Sequence, residues 1–164
     1  NMVLIIMGVS GAGKTTVGTV LARRLGWNFH DADDLHTREN KEKIKNGIPL
    51  SDEDRLPWLE ALGELIRGLD TPAVIACSAL KKSYRDKLVK SGRDVRFVYL
   101  GGDKELIRGR LERRKGHFAG AGILESQLEA LEEPEDALWE DIGPDPEAIA
   151  DDIIRRLKLE AVNG

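Results

Sequence analysis

The amino-acid sequence predicts an α/β protein in which helices cover both faces of a parallel β-sheet. Short apolar runs alternate with longer segments of helical periodicity along the 164 residues, a pattern typical of parallel sheets. The first apolar run, residues 3–7, is continuous, as expected for a strand buried on both faces. A glycine-rich loop joins that run to the first helical segment, in the strand, loop, helix order of phosphate-binding loops.

Five apolar runs are predicted as strands, and helical spacing of apolar residues predicts the segments between them. In the first helix Val17, Leu21 and Leu25 recur at helical spacing, and Gly26 is expected to end the helix. The predicted strands are residues 3–7, 27–30, 73–77, 95–100 and 137–142. The predicted helices are residues 14–25, 38–46, 52–68, 80–90, 103–115, 123–132 and 145–158.

The chain is predicted to form a single domain over residues 1–164, because no internal repeat or linker divides it. The stretch from residue 33 to residue 69 is too long for one crossover helix and is expected to carry an inserted helical subregion. A basic stretch that becomes glycine-rich, at about residues 108–125, suits a mobile flap better than core.

Composition excludes several classes of function. The net charge of −4 argues against a nucleic-acid surface. No apolar stretch approaches the roughly 18 residues that a membrane-spanning helix needs. The single cysteine, Cys77, lies in an apolar run and cannot form an internal disulfide, so we expect a cytoplasmic protein.

Residues Gly8 to Thr15 read G-V-S-G-A-G-K-T and fit the pattern G-x-x-x-x-G-K-[ST] in full. The glycines allow the loop amides to converge on an anion, which the following helix dipole also favours. Lys14 is expected to reach the β- and γ-phosphates, and the Thr15 hydroxyl to ligate Mg²⁺. We therefore predict a bound nucleoside triphosphate. The predicted nucleotide-binding residues here are Gly8, Val9, Ser10, Gly11, Ala12, Gly13, Lys14, Thr15 and Thr16.

Acidic residues follow the second predicted strand, whereas the third runs into the uncharged Ser78. Asp31 is the candidate to hold Mg²⁺ through water, since magnesium commonly keeps several waters. Asp33 can point into the cleft, where it would orient an acceptor hydroxyl and accept its proton. The alternative for Asp31 and Asp33 is that the acidic residues form a solvated turn and helix cap. For Asp34 we favour this alternative.

The purine is predicted to be adenine. Guanine-specific switch proteins carry an N-K-x-D signature after a strand. The nearest string here, Asn40-Lys41-Glu42-Lys43, lacks the aspartate and lies in a helical pattern. A GTP-dependent switch is therefore disfavoured, and ATP is the predicted donor.

Basic residues cluster on the predicted helix at 103–115. Such a cluster can stabilise the charge of a transferred phosphoryl group and close over the site to exclude water. Arg110 and Arg114 are four residues apart and share a helix face. The alternative is a solvated helix face paired with Glu105 and Glu112. The cluster consists of Arg108, Arg110, Arg113, Arg114 and Lys115.

Longer sequence motifs outside the glycine loop are more specific for one protein family than the loop alone. They are Asp31-Ala32-Asp33-Asp34-Leu35-His36, Gly47-Ile48-Pro49-Leu50, Asp52-Glu53-Asp54-Arg55-Leu56-Pro57-Trp58-Leu59, Ala76-Cys77-Ser78-Ala79-Leu80-Lys81-Lys82-Ser83-Tyr84-Arg85, Lys115-Gly116-His117-Phe118, Ser126-Gln127 and Leu131-Glu132-Glu133-Pro134. With the loop, they make residues 3–157 closely resemble gluconokinase, the ATP-dependent gluconate kinase of the shikimate and nucleoside-monophosphate kinase-like group.

The resemblance implies a P-loop NTPase three-layer fold with a five-stranded parallel sheet, a lid at about 108–125 and a helical substrate-binding insertion at about 33–69. It also implies transfer of the ATP γ-phosphoryl group to the 6-hydroxyl of D-gluconate, with Mg²⁺, by a homodimer. The alternative within this class is a kinase of another small carboxylated or polyol metabolite, such as shikimate. The alternative from another class is a nucleotide-binding regulatory module, which would need neither acceptor site nor lid.

The resemblance also implies roles for individual side chains. Arg55 offers a planar fork for the gluconate carboxylate, the alternative being a surface arginine paired with Asp52 or Glu53. Arg110 is predicted to bind the nucleotide. The predicted catalytic residues are Lys14, Asp33 and Arg114. The predicted substrate-binding residues are Asp33, His36, Arg55, Ser78, Lys81, Arg85 and His117, although a structural role for Arg85 is an equal alternative.

Overall fold

A computed structural model describes residues 1–91, 93–113 and 118–162, without the side chains of 118–123. It contains a five-stranded parallel sheet in the order β2-β3-β1-β4-β5, so the predicted fold class is confirmed. The strands are β1 Met2–Met7, β2 Asn28–Asp31, β3 Ala73–Ala76, β4 Asp94–Gly101 and β5 Leu138–Asp141.

Helices connect successive strands. Between β2 and β3 the chain forms a short 3₁₀ helix at Ala32–Leu35 and then α2 and α3. Among the helices that the structure describes, none is long and apolar enough to cross a membrane. The helices are α1 Lys14–Leu25, α2 Arg38–Lys45, α3 Asp52–Arg67, α4 Lys82–Val89, α5 Lys104–Glu112, α6 Phe118–Ala130 and α7 Pro146–Leu157.

The central strand β1 packs against helices on both faces of the sheet, which gives the fold its three layers. Its side chains from Val3 to Met7 are fully buried and alternate between the two faces of the sheet. Leu4 and Ile6 pack in one hydrophobic cluster with residues of α1, α5 and α7. Val3 and Ile5 pack in a second cluster with residues of α3 and α4. The carboxyl end of β1 therefore opens at the middle of the sheet, between β3 and β4, where ligands of open α/β sheets bind.

Several boundaries differ from the sequence prediction. Strand β3 ends at Ala76 rather than at residue 77, and Ala79 then adopts a left-handed backbone conformation with φ of 46°. This turn delays the start of α4 to Lys82. Helix α6 begins at Phe118, five residues before its predicted start, so the glycine-rich stretch is helical from residue 118 onward.

A buried carboxyl group links β5 to α7. The side chain of Glu140 is 6% exposed and accepts a hydrogen bond from Arg156 at 2.8 Å. Burial, followed by a hydrogen bond shared with Asp152, raises the pKa of Glu140 from 4.5 to about 7. That shared bond is also the main cause that lowers the pKa of Asp152.

The raised pKa of Glu140 predicts a pH-dependent stability. Because the folded protein holds this proton more tightly than the unfolded chain, the stabilisation is complete below the ordinary pKa of 4.5 and is lost as pH rises through about 7. Asp152 titrates below this window, since its pKa lies under its ordinary value of 3.8. We expect the difference in melting temperature between Glu140→Gln and wild type to shift in favour of the variant as the pH rises from about 5 to about 8. Thermal denaturation measures it, with exposed Glu135→Gln as control; a constant difference would contradict the assignment.

Candidate active site

The glycine loop between β1 and α1 is shaped by its surroundings. Gly13 caps the N-terminus of α1 with a φ of 96°. Gly11 has a φ of 86°, and a Cβ atom there would lie 2.9 Å from Leu111 of α5. The backbone needs glycine at both positions, and α5 packs directly against the loop. Its amides lie at the N-terminus of α1, where the helix dipole favours an anion.

Lys14 lies between the loop and the acidic segment after β2. Its Nζ donates a hydrogen bond to the carbonyl oxygen of Val9 at 3.1 Å. Its positive charge acts on Asp33, where it lowers the pKa of that carboxyl group. The arrangement brings the predicted phosphate ligand and the predicted proton acceptor to the same cleft.

Thr15 and Asp31 meet across the loop. The Thr15 hydroxyl oxygen is 3.2 Å from Oδ2 of Asp31. Oδ1 of Asp31 accepts a hydrogen bond from the backbone N–H of Asp33 at 3.0 Å and so caps the 3₁₀ helix. A hydroxyl and a carboxylate are the hard oxygen donors that Mg²⁺ prefers, so the donor set fits the predicted ion.

Asp33 is exposed to solvent, yet the pKa of its carboxyl group is raised. The residue reaches solvent, yet burial of its carboxyl group is the main cause that raises the pKa of Asp33. Lys14 opposes this effect, whereas the charges of Asp31 and Asp34 add to it. A raised pKa makes the carboxylate a better proton acceptor, as a general base requires.

A small cleft beside the loop gathers most of the predicted acceptor residues. Its volume is about 110 Å³. Five residues in its wall were predicted to bind substrate or catalyse transfer, namely Lys14, Asp33, His36, Arg55 and Ser78. The other lining residues are Ser10, Ile44, Pro49, Leu50, Trp58, Ser126 and Gln127. The cleft thus combines a cation, a carboxylate and polar groups with an apolar wall.

Arg55 is largely buried at the wall of this cleft. Its side chain is 13% exposed and lies 4.0 Å from Oδ1 of Asp52. Its Nη1 donates a hydrogen bond to the Tyr84 hydroxyl at 3.1 Å. These contacts orient the guanidinium through α3 and α4, and the same side chain lines the cleft.

Lys81 and Arg85 make contacts of a different kind. Lys81 binds Oδ1 of Asp52 at 2.8 Å. Arg85 is 7% exposed and donates to the carbonyl oxygens of Ala79 and Glu132 at 2.7 and 2.9 Å. These contacts favour a structural role for Arg85, and neither residue belongs to the described wall of the cleft. Their substrate contacts stay predictions.

Two predicted site residues lie outside the described part of the chain. They are Arg114, predicted to be catalytic, and His117, predicted to bind substrate. Their roles also stay predictions.

A second cavity lies on the other side of the loop, next to α5 and the segment after β5. Its volume is about 400 Å³. Arg110 donates to the carbonyl oxygen of Ile142 at 2.7 Å and lines it. The sequence did not identify residues for the purine, and this apolar slot supplies candidates. The lining residues are Gly11, Ala12, Gly13, Thr16, Val17, Arg110, Arg113, Ile142, Pro144, Pro146 and Ile149.

Gln127 contacts the glycine loop, which was not predicted from the sequence. Its Oε1 accepts a hydrogen bond from the backbone N–H of Ser10 at 2.6 Å, so α6 touches the loop directly. The pair Ser126-Gln127 stands among the strings that resemble the known family, and this was the signal for it.

Comparisons with known proteins show what this chain is similar to. The family model described as shikimate kinase matches residues 10–157. A thermosensitive gluconokinase of Escherichia coli (strain K12) is 51% identical over 134 residues, covering 80% of this chain and 72% of that protein. A gluconokinase of Gluconobacter oxydans (strain 621H) is 42% identical over 163 residues, covering 96% and 92%. The crystal structure of a gluconokinase from Sinorhizobium meliloti 1021 is similar, with a TM-score of 0.86, 40% identity and coverage of 94% and 90%.

Proposed function

The chain belongs to the gluconokinase family, and from this premise we propose that it transfers the γ-phosphoryl group of ATP to the 6-hydroxyl of D-gluconate. The observation that carries the proposal is the cleft in which Lys14, Asp33 and Arg55 meet. A sugar acid needs a cation for its carboxylate and polar groups for its hydroxyls. A phosphoryl acceptor further needs a group that takes the hydroxyl proton.

Each charged group has a distinct task. Asp33 accepts the proton of the attacking hydroxyl, a task that its raised pKa suits. Lys14 stabilises the negative charge of the transferred phosphoryl group. The Arg55 fork binds the carboxylate at the opposite end of the acceptor. With the two ends held, the reacting hydroxyl is oriented toward the donor.

Mg²⁺ completes the proposed donor site. The Thr15 hydroxyl would hold the ion directly and Asp31 would hold it through water, in line with their contact at 3.2 Å. The bound ion would neutralise charge on the phosphate oxygens. The purine would occupy the apolar slot beside Arg110 and Ile142.

A coupled assay of ADP formation over a panel of acceptors tests this function. We expect turnover with D-gluconate and much less with D-glucitol, which has the same carbon chain but a hydroxymethyl group in place of the carboxylate. Shikimate and other sugar acids complete the panel. Strong turnover with only another acceptor would overturn the substrate assignment.

Replacing Arg55 tests the carboxylate clamp. We expect Arg55→Ala to raise the KM for gluconate by about 10- to 100-fold with a smaller change in kcat, because the lost interaction holds the acceptor in ground and transition states alike. The KM for ATP should not change. Arg38→Ala, on the exposed surface of α2, is the matched control. An unaltered gluconate KM would remove Arg55 from the site.

A further inference from the structure

The imidazole of His36 is held rigidly at the wall of the acceptor cleft. Only 8% of the residue is exposed, and its ring stacks on Trp58 with 4.8 Å between centroids and an interplanar angle of 11°. Trp58 is itself fixed, because its Nε1–H donates to the carbonyl oxygen of Ala32 at 2.7 Å. The protein therefore sets the plane of the imidazole.

Asn40 lies in the first turn of α2, four residues after His36, and its neighbours dictate how its amide is oriented. The residue is 3% exposed. Its side-chain nitrogen lies 2.6 Å from the carbonyl oxygen of Asp54, which can only accept a hydrogen bond. Turning the amide over would set two acceptor oxygens against each other, so the nitrogen must face this way. The same nitrogen lies 3.4 Å from Nδ1 of His36.

These contacts select one form of the imidazole. An amide nitrogen donates and does not accept, so Nδ1 of His36 has to accept. A neutral ring whose Nδ1 accepts carries its proton on Nε2. A second proton on Nδ1 would also be opposed by the environment. Burial, together with the positive charges of Arg55 on α3 and Lys41 on α2, lowers the pKa of His36 from 6.5 to about 4. The other charged groups in the cleft wall are Lys14 and Asp33.

We propose that Asn40 is a positioning residue that fixes His36 as the neutral Nε2–H tautomer, and that this N–H donates a hydrogen bond to an oxygen of the acceptor. The inference rests on the proposed acceptor function. Hydroxyl and carboxylate oxygens carry the lone pairs that such a donor needs. Neither ring nitrogen can take the proton of the attacking hydroxyl, because Nε2 is protonated and Nδ1 is engaged by Asn40. Proton acceptance is left to Asp33.

Nitrogen NMR of protein labelled at histidine tests the tautomer without turnover. The chain has three histidines, and the signals of His36 are assigned by their loss in His36→Gln. We expect a protonated Nε2 and an unprotonated Nδ1 at neutral pH, with no titration near the ordinary histidine pKa of about 6.5. A proton on Nδ1 at neutral pH would overturn the proposal.

Substitution of Asn40 tests the positioning role by the same spectrum. In Asn40→Asp a carboxylate replaces the donor beside Nδ1, so the pKa of His36 should rise and Nδ1 should become protonated. Asn46→Asp makes the same chemical change at the exposed end of α2 and should leave the spectrum of His36 unchanged. If Asn40→Asp also left it unchanged, Asn40 would not set the tautomer.

Kinetics of two His36 variants test the hydrogen bond to the acceptor. The side-chain nitrogen of glutamine falls near Nε2 of a histidine, whereas that of asparagine falls near Nδ1. Both variants lose the stacked ring, so its packing cancels in the comparison. We expect the gluconate KM of His36→Asn to exceed that of His36→Gln by about tenfold, the effect of one hydrogen bond. Equal values would overturn the proposed donor. If the wild-type protein did not turn over gluconate, the proposed function would be contradicted instead. The NMR spectrum of His36 requires no turnover, so the two outcomes can be distinguished.

Discussion

Asp33→Asn is expected to lower kcat by about 10²- to 10⁴-fold, the usual contribution of a positioned general base. Asparagine keeps the size and polarity of the side chain but cannot accept the hydroxyl proton. Binding of ATP and gluconate should change far less than kcat. Steady-state kinetics with both substrates varied would separate these effects.

Asp34→Asn is the matched control, because Asp34 is an exposed neighbour in the same 3₁₀ helix. It should retain wild-type turnover. The raised pKa of Asp33 adds a second readout, since wild-type kcat/KM should fall with decreasing pH at a higher pH than the ordinary aspartate pKa of 3.8 implies. Near-wild-type kcat in Asp33→Asn would exclude this carboxylate as the base.

Lys14→Ala should lower kcat by about 10²- to 10³-fold, comparable to the loss of one preorganised donor to a developing negative charge. The folded protein should tolerate the change. The Lys14 ammonium contacts the carbonyl oxygen of Val9 in its own loop, so its removal leaves no cavity in the core. Steady-state kinetics and a thermal melt of the same preparation would measure the loss of kcat and show that the variant remains folded.

Lys87→Ala on the exposed surface of α4 provides the comparison for Lys14→Ala, since it also removes one positive charge. Its kcat should match wild type. Should Lys14→Ala retain full activity, or lose activity only because it unfolds, the phosphate role of Lys14 would be wrong.

The strands of this fold are readable from the sequence, most clearly β1 and β3, which are short continuous apolar runs, but the strand order is not. Val3 pairs with both Ala73 and Val95, and such pairings are decided by packing between segments far apart along the chain. The end of β3 was also misplaced. The turn after it depends on Ala79 in a left-handed conformation, and a non-glycine residue gives no local signal for that.

The position of the candidate site could be predicted where motifs are local. Lys14, Thr15, Asp31 and Asp33 belong to motifs of characteristic residue type and spacing, and the structure places them beside the loop, while their roles stay predictions. The slot beside Arg110 was not predictable, because residues such as Ile142 resemble core residues until the fold brings them to the loop.

The strand order has a consequence for how this enzyme family can diversify. The residues that line the proposed acceptor cleft come from the loop itself and from its β2 and β3 side, apart from Ser126 and Gln127 of α6. The slot on the β4 and β5 side is built from α5 and the segment after β5. Because β1 stands between the two halves, we expect substitutions in the segment 33–69 to change which molecule is phosphorylated without altering the proposed ATP site. Acceptor choice would then be inherited separately from ATP binding.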